Sequence, residues 1–115
     1  MADVVYLVTD LVFSSKIRET AAQLGLTTAR AHTVDALIDG ARQARAAIVD
    51  LRLPGALEAL GRLAAAGPTA RRIGFVEHER TDVMEAARAA GCHEVLAKGA
   101  FSKRLPALLL EARRE

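Results

Sequence analysis

Two aspartates and one lysine follow short apolar runs of the sequence, where groups of opposite charge can share one edge of a sheet. Asp10 lies just beyond the first run, Asp50 directly follows a later one, and Lys98 directly follows the last. A carboxylate buried there needs a cation or hydrogen bonds, and a lysine ammonium supplies such a charge. Two carboxylates with a loop carbonyl and waters suit Mg2+. An aspartate beside a divalent ion and an ammonium group can also attack phosphorus.

These residues are positioned by apolar runs that alternate with segments of helical period. The predicted strands are 4–8, 26–31, 46–49, 72–76 and 94–97. The predicted helices are 13–24, 34–41, one from Leu57 to Gly67–Pro68, one from Thr81 or Asp82 to Ala90, and one that begins at Ser102. Short right-handed crossovers predict an α/β fold, a flavodoxin-like doubly wound sheet of five parallel strands in the order 2-1-3-4-5 with five helices. Ligands of such sheets bind beyond the carboxyl ends of the strands at the switch point.

Helix ends are marked by capping residues and glycines. Gly25 and Gly91 suit the left-handed position after a helix. Pro106 is predicted in the first turn of the last helix, where its missing N–H is not needed. The predicted N-caps are Thr33, Thr81 or Asp82, and Ser102.

Length and composition restrict the classes of protein. The 115 residues predict a single domain, 1–115, with no residues left for an effector domain. No apolar run approaches the roughly 20 residues of a membrane span, and no signal peptide is evident, so we expect a cytoplasmic protein with no membrane contact. A net charge of +2 with interspersed acids makes nucleic acid an unfavoured partner.

Four features in this order resemble a known family over the whole length of the chain. Asp50 lies in the segment IVDLRLPG (48–55), Lys98 follows Gly91 by seven residues, and Asp10 follows the first strand. The sequence resembles the receiver domain of bacterial two-component response regulators. The resemblance implies that Asp50 is the phosphoacceptor, that Lys98 is the family's lysine, and that Mg2+ is bound by Asp10, Asp50 and the backbone carbonyl of Arg52.

The function implied by this resemblance is signal transduction and not enzymatic catalysis. We expect a stand-alone, atypical receiver in a phosphorelay, which acts through protein–protein interaction with a histidine kinase or another signalling protein. The resemblance also implies a homodimer of this chain through the fourth helix, the fifth strand and the fifth helix, the surface that the family uses for dimers and partners. A flavodoxin-like small-molecule site is disfavoured because no phosphate-binding loop is present and aromatic residues are few.

Several positions depart from the family pattern. Thr9 stands where the family has a further acid, and neither Val76 nor Glu77 supplies the hydroxyl expected after the fourth strand. Gly99 replaces a proline after the lysine, and Val95 replaces a switch aromatic. These changes leave a second hypothesis open, namely a phosphorylation-independent pseudo-receiver that serves as a binding module or a homodimerising scaffold.

Each candidate residue also has a structural interpretation. Asp50 and Lys98 can form an ion pair that closes the sheet edge, and Asp10 can cap a helix. Arg52 can be a solvated loop side chain, a partner of Asp50, or a substitute for the charge of the metal.

The remaining polar and apolar features favour structural roles. His78 and His93 have no partner at metal-ligand spacing and are interpreted as surface or capping residues. Cys92 is interpreted as a small buried apolar residue. The last helix carries leucines that either fill the core or leave an exposed interaction stripe: Leu105, Leu108, Leu109 and Leu110.

Overall fold

The fold is a five-stranded parallel sheet with helices on both faces, in a computed structural model that describes residues 1–66 and 69–114. The strands are β1 Val4–Leu7, β2 Thr28–Arg30, β3 Ala46–Asp50, β4 Arg71–Val76 and β5 Glu94–Ala97. The helices are α1 Leu11–Gln23, α2 Val34–Ala41, α3 Ala56–Ala66, α4 Thr81–Ala89 and α5 Lys98–Arg113. The strand order β2-β1-β3-β4-β5 confirms the predicted order.

The strands alternate between two apolar clusters, one on each face of the sheet. Val5 and Val49 point into the cluster that α2, α3 and α4 cover. Tyr6 and Ile48 point into the cluster that α1 and α5 cover. Every residue of β1 and β3 is buried, which is why both strands read as continuous apolar runs. The central pair therefore lies between two helical layers.

Of the helices α1, α2 and α4, two begin after a residue whose side chain caps the helix by a hydrogen bond, and one does not. Asp10 caps α1, so this helix begins two residues earlier than predicted. Thr33 caps α2 as predicted, because its hydroxyl accepts a hydrogen bond from the Ala36 N–H at 3.1 Å. The predicted caps of α4 are wrong, since Thr81 and Asp82 lie in its first turn and the N-cap is Arg80, whose side chain forms no cap bond.

The start of α5 also differs from the prediction. This helix begins at Lys98, directly after β5, so Ser102 and Pro106 lie inside it. Phe101 is fully buried and stacks on Phe75 with ring centroids 4.5 Å apart, which requires the chain to turn immediately after the strand. Packing of this ring outweighs the capping preference of Ser102, and Pro106 lacks the N–H that the Ser102 carbonyl would otherwise accept.

The helix ends and the leucines of α5 complete the comparison. Gly25 and Gly91 have φ values of 74° and 98°, as their predicted positions require. The predicted end of α3 at Gly67–Pro68 lies outside the described residues. Three of the four leucines are core residues, and Leu110 is half-buried, so they form no exposed stripe. Within the described ranges, no helix is long and apolar enough to cross a membrane.

Candidate functional site

The carboxyl edge of the sheet brings together the residues that follow β1, β3, β4 and β5. Val76 pairs with Ala97, so the residues after these two strands, Glu77 and Lys98, leave the sheet at the same level. Asp50 pairs with Phe75 one residue earlier. Asp10 follows β1 on the other side of β3. The site therefore lies at the switch point, as the strand order predicts.

Asp50 is fully buried, and both of its carboxylate oxygens face the residue two positions later. Its Oδ1 accepts a hydrogen bond from the Arg52 backbone N–H at 3.0 Å. Its Oδ2 lies 3.4 Å from Nη2 of the Arg52 guanidinium. A buried carboxylate needs such compensation, and here the loop that follows the strand supplies it.

The guanidinium of Arg52 bridges two acidic side chains. Its Nε lies 3.7 Å from Oε1 of Glu77, on the neighbouring strand end. The hydrogen bond to Asp50 and the negative charges of Asp50, Glu77 and Asp10 raise the pKa of Arg52. Arg52 is 41% exposed, yet it is an ion-pair partner and not merely a solvated loop side chain. Of the sequence alternatives for Arg52, pairing with Asp50 is the one observed.

Asp10 acts as a helix cap in this structure. Its Oδ1 accepts hydrogen bonds from the backbone N–H groups of Val12 at 2.8 Å and Phe13 at 3.1 Å. These bonds satisfy two of the free donors at the start of α1. Of the two roles considered for Asp10, its observed contacts are those of a helix cap.

Lys98 lies at the same edge but has an aromatic partner. Its Nζ is 5.1 Å from the centroid of the Phe13 ring, the geometry of a cation–π contact. Among the ion pairs of residues 1–66 and 69–114, Asp50 is joined to Arg52 and not to Lys98. The predicted Asp50–Lys98 pair is therefore replaced by one pair, Asp50–Arg52, and one cation–π contact.

Solved structures supply the comparison for this arrangement. The BeF3-activated DrrB receiver domain is 16% identical, with a TM-score of 0.82 over 100% of this chain and 99% of that one. A receiver domain of a Pseudomonas aeruginosa sensor histidine kinase, with magnesium in its active-site cleft, is 20% identical, with a TM-score of 0.78 over 99% and 98%. A Burkholderia pseudomallei response regulator with a phosphorylated aspartate and calcium is 21% identical, with a TM-score of 0.78 over 99% and 70%.

The chain has the fold of response-regulator receiver domains. No protein-family model and no curated protein matches the sequence. At these levels of identity the likeness extends to the fold, over nearly the whole chain, and not to the individual side chains of the site.

In this receiver fold an aromatic cluster lies beneath the site, which the sequence analysis did not identify. Phe13 packs 5.1 Å from Phe75 and 6.0 Å from Phe101, measured between ring centroids. All three phenylalanines of the chain belong to it. A signal was present in the sequence, because Phe13 and Phe101 each follow a candidate site residue, Asp10 and Lys98, by three positions.

The two histidines singled out in the sequence and the cysteine have partners other than the buried carboxylate of Asp50. His78 is exposed, and its Nε2 lies 3.1 Å from Oε2 of Glu79. Cys92 and His93 contact Arg72 at the opposite edge, where the ring of His93 accepts a hydrogen bond from the Arg72 backbone N–H. In the part of the chain that the structure describes, no group of three or more His, Cys, Asp or Glu side chains is arranged to hold a metal ion.

Proposed function

We propose that this domain is a receiver-type signalling module that acts through protein–protein contacts and does not require phosphoryl transfer to Asp50. The observation that carries the proposal is the contact between the buried Asp50 carboxylate and the guanidinium of Arg52. A phosphoacceptor must present a free carboxylate oxygen to the donor. Here one oxygen accepts a backbone hydrogen bond and the other faces a cation of the same loop.

A divalent cation does not fit the site in this arrangement. Mg2+ prefers hard oxygen ligands in octahedral geometry, and the magnesium-bound receiver of Pseudomonas aeruginosa has such an ion in its cleft. In this chain an oxygen of Asp10 caps α1, and the guanidinium of Arg52 lies between Asp50 and Glu77. The charge that a metal would supply is thus already supplied by a side chain, and we assign no step to a metal.

The end of β4 also disfavours a stable phosphorylated state. Val76, which ends this strand, has no hydroxyl to donate to a phosphoryl oxygen, and Glu77 is an acid. A missing hydrogen bond to a charged group forgoes about 1.5–3 kcal/mol. A carboxylate near a phosphoaspartate adds repulsion between like charges.

A surface for a protein partner lies beside the site. Leu11 and Val12, in the first turn of α1, are 72% and 75% exposed. A protein that binds here would remove these two neighbouring apolar side chains from water. Each Å2 of apolar area buried in this way stabilises the complex by about 25 cal/mol. This surface supports a role in protein contact, the common role of receiver domains, with a histidine kinase or another signalling protein as the partner class.

One observation favours a second function, that of a receiver with Asp50 as the phosphoacceptor. Asp50 ends β3 at the switch point, and Lys98 and Asp10 follow neighbouring strands at the same edge. Movement of Arg52 and Lys98 toward new partners would create the arrangement expected from the sequence. In this second function Mg2+ would be bound by Asp10, Asp50 and the carbonyl of Arg52.

Incubation with a small phosphodonor and Mg2+, followed by intact mass measurement, distinguishes the two functions. We expect no added phosphoryl mass and no change in melting temperature on addition of Mg2+ alone. The Asp50→Asn variant is the matched control. An added phosphoryl group on the wild-type protein that is absent from Asp50→Asn would contradict our proposal and establish the second function.

A further inference from the structure

Two arginines lie beside the buried Tyr6, on the face of the sheet that α1 and α5 cover. Tyr6 of β1 pairs with Arg30 of β2, and the side chains of paired residues in neighbouring parallel strands point to the same face. Nη1 of Arg18, on α1, donates a hydrogen bond to the Tyr6 hydroxyl at 3.2 Å. One arginine of the edge strand and one of the helix are therefore neighbours of the same tyrosine.

Neither of these two guanidiniums is paired with an acid in residues 1–66 and 69–114. Arg18 is held by hydrogen bonds to Tyr6 and to Oγ of Ser15, at 3.2 Å each, and both acceptors are uncharged. Arg30 forms no hydrogen bond or ion pair within the same ranges, and its Nε is buried. A charged group that loses water without gaining a hydrogen bond raises the free energy of the folded state. The pair thus combines two positive charges with unused N–H donors.

These donors are open to a small ligand. Arg18 is exposed and Arg30 is half-buried. Of the three side-chain nitrogens of Arg30, only Nε is buried, so both Nη groups reach the solvent. In the described sheet β2 is an edge strand that pairs with β1 alone. An anion can therefore approach both guanidiniums from the open edge of the sheet.

We propose that Arg18 and Arg30 form a binding site for a phosphate group, either free or carried as a monoester. Each guanidinium presents N–H donors that match two oxygens of a phosphate, and the two positive charges balance its dianion. Tyr6 and Ser15 hold the Arg18 side chain, which reduces the conformational entropy lost on binding. A carboxylate brings a single negative charge and should bind more weakly. This site goes beyond the proposed function, because it uses no group that contacts Asp50.

NMR titration of the 15N-labelled protein tests the site directly. Inorganic phosphate, methyl phosphate and acetate are added at constant ionic strength and pH 8, where a phosphate monoester is a dianion. We expect saturable shifts of the Nε–H signals of Arg18 and Arg30, and an affinity for both phosphates at least about tenfold above that for acetate, about 1.4 kcal/mol. Tighter binding of methyl phosphate would indicate a monoester as the ligand, and tighter binding of inorganic phosphate the free ion. Equal affinity for acetate, or no saturable shift, would overturn the proposal.

Substitution of each arginine measures its contribution to binding. Arg30→Gln should bind phosphate at least about tenfold more weakly than wild type. Arg62→Gln is the matched control, because it removes one positive charge from α3, on the other face of the sheet, where Arg62 lies 2.9 Å from Asp35. An equal loss in Arg62→Gln would show a general effect of net charge and would overturn the proposal. If Arg30→Gln does not fold, Arg18→Gln replaces an exposed residue and should show the same loss, and unchanged affinity in this variant would also overturn the proposal.

The position of the shifts separates this site from the carboxyl edge of the sheet. Shifts confined to the side-chain signals of Lys98 and Arg52 would place the anion beside Asp50 and would overturn the proposal. Binding at Arg18 and Arg30 is non-covalent, so it should persist in Asp50→Asn and should add no mass to the intact protein. The result is therefore independent of whether Asp50 accepts a phosphoryl group.

Discussion

At the scale of single residues, burial determines the chemistry of Cys92, the only cysteine of the chain. Its side chain is nearly inaccessible, and its Sγ contacts the backbone carbonyls of Arg72 and Glu94 at 3.4 and 3.3 Å. Burial disfavours the charged thiolate and raises the pKa of Cys92 from its usual 9.0 to about 11. The thiolate is the nucleophilic form of cysteine, so both the burial of this thiol and its raised pKa lower its reactivity.

We therefore expect Cys92 to resist thiol reagents while the protein is folded. Because its pKa is raised to about 11, the thiolate fraction of Cys92 at pH 8 is far smaller than that of an ordinary cysteine. Labelling by a chromogenic disulfide, followed by absorbance, should be slow in buffer and rapid in guanidinium chloride. Labelling that is as rapid in buffer as in denaturant would contradict this burial.

Residue-scale chemistry was only partly predictable from the sequence. The positions of Asp10, Asp50 and Lys98 at strand ends follow from the apolar runs before them. The partners of these side chains do not follow, because several residues lie close to each of them and the sequence does not show which one is contacted. Asp50 pairs with Arg52, two positions along the chain, because the loop bends back over the strand end. Lys98 instead contacts Phe13, which lies on the first helix.

At the scale of elements, two glycines differ in the space around them and give opposite predictions. A Cβ on Gly74, within β4, would lie 2.9 Å from Cδ2 and 3.1 Å from Cγ of the buried Leu51. A Cβ on Gly61, within α3, would meet no atom within 4 Å. Packing against Leu51 therefore leaves no room for a larger residue at position 74. Position 61 has room, and glycine there only makes the helix backbone more flexible.

We expect Gly74→Ala to destabilise the fold by about 1–3 kcal/mol, because Leu51 must leave its packed rotamer. Gly61→Ala is the control and should stabilise the fold by about 0.5–1 kcal/mol, the difference in helix propensity. Chemical denaturation followed by circular dichroism measures both values. Equal stability of Gly74→Ala and wild type would mean that Leu51 moves without cost.

Element boundaries were predictable where a local signal and the packing agree. Thr33 caps α2 as its sequence position suggests, because its hydroxyl accepts a hydrogen bond from the Ala36 N–H. For α5 the local signals, Ser102 and Pro106, predict a start several residues too late. The burial of Phe101 determines where α5 begins, and the sequence alone does not show which aromatic ring packs against Phe101.

At the scale of the whole molecule, the alternation of strands and helices restricts the possible strand orders. A parallel strand requires a crossover helix, and right-handed crossovers leave few topologies for five such units. The paired faces of the central strands follow from the same pattern, because continuous apolar runs must be covered on both sides. The fold was therefore predictable to the level of strand order, even though its likeness to solved receiver domains is at most 21% identity among those compared above.

Asp3, just before the first strand, contacts the segments that lead into both neighbouring strands, β2 and β3. Oδ2 of Asp3 accepts hydrogen bonds from the backbone N–H of Thr27 at 2.9 Å and from its hydroxyl at 3.2 Å. The backbone carbonyl of Asp3 accepts a hydrogen bond from the Arg45 N–H at 2.7 Å, one residue before β3. The hydrogen bond from the Thr27 N–H is the main cause that lowers the pKa of the Asp3 carboxyl.

A carboxyl group with a lowered pKa in the folded state stabilises that state above its unfolded pKa, and the stabilisation is lost as pH falls through the folded value. We expect Asp3→Asn to lower the free energy of unfolding by about 1 kcal/mol at pH 7, since the group is partly exposed. The difference from wild type should shrink below about pH 4, where the wild-type carboxyl also becomes neutral. Urea denaturation between pH 3 and pH 7 measures this profile, with Asp39→Asn as a control because that side chain is 83% exposed. A deficit of Asp3→Asn that stays constant over this range would mean that the charge of Asp3 does not hold β1 to β2.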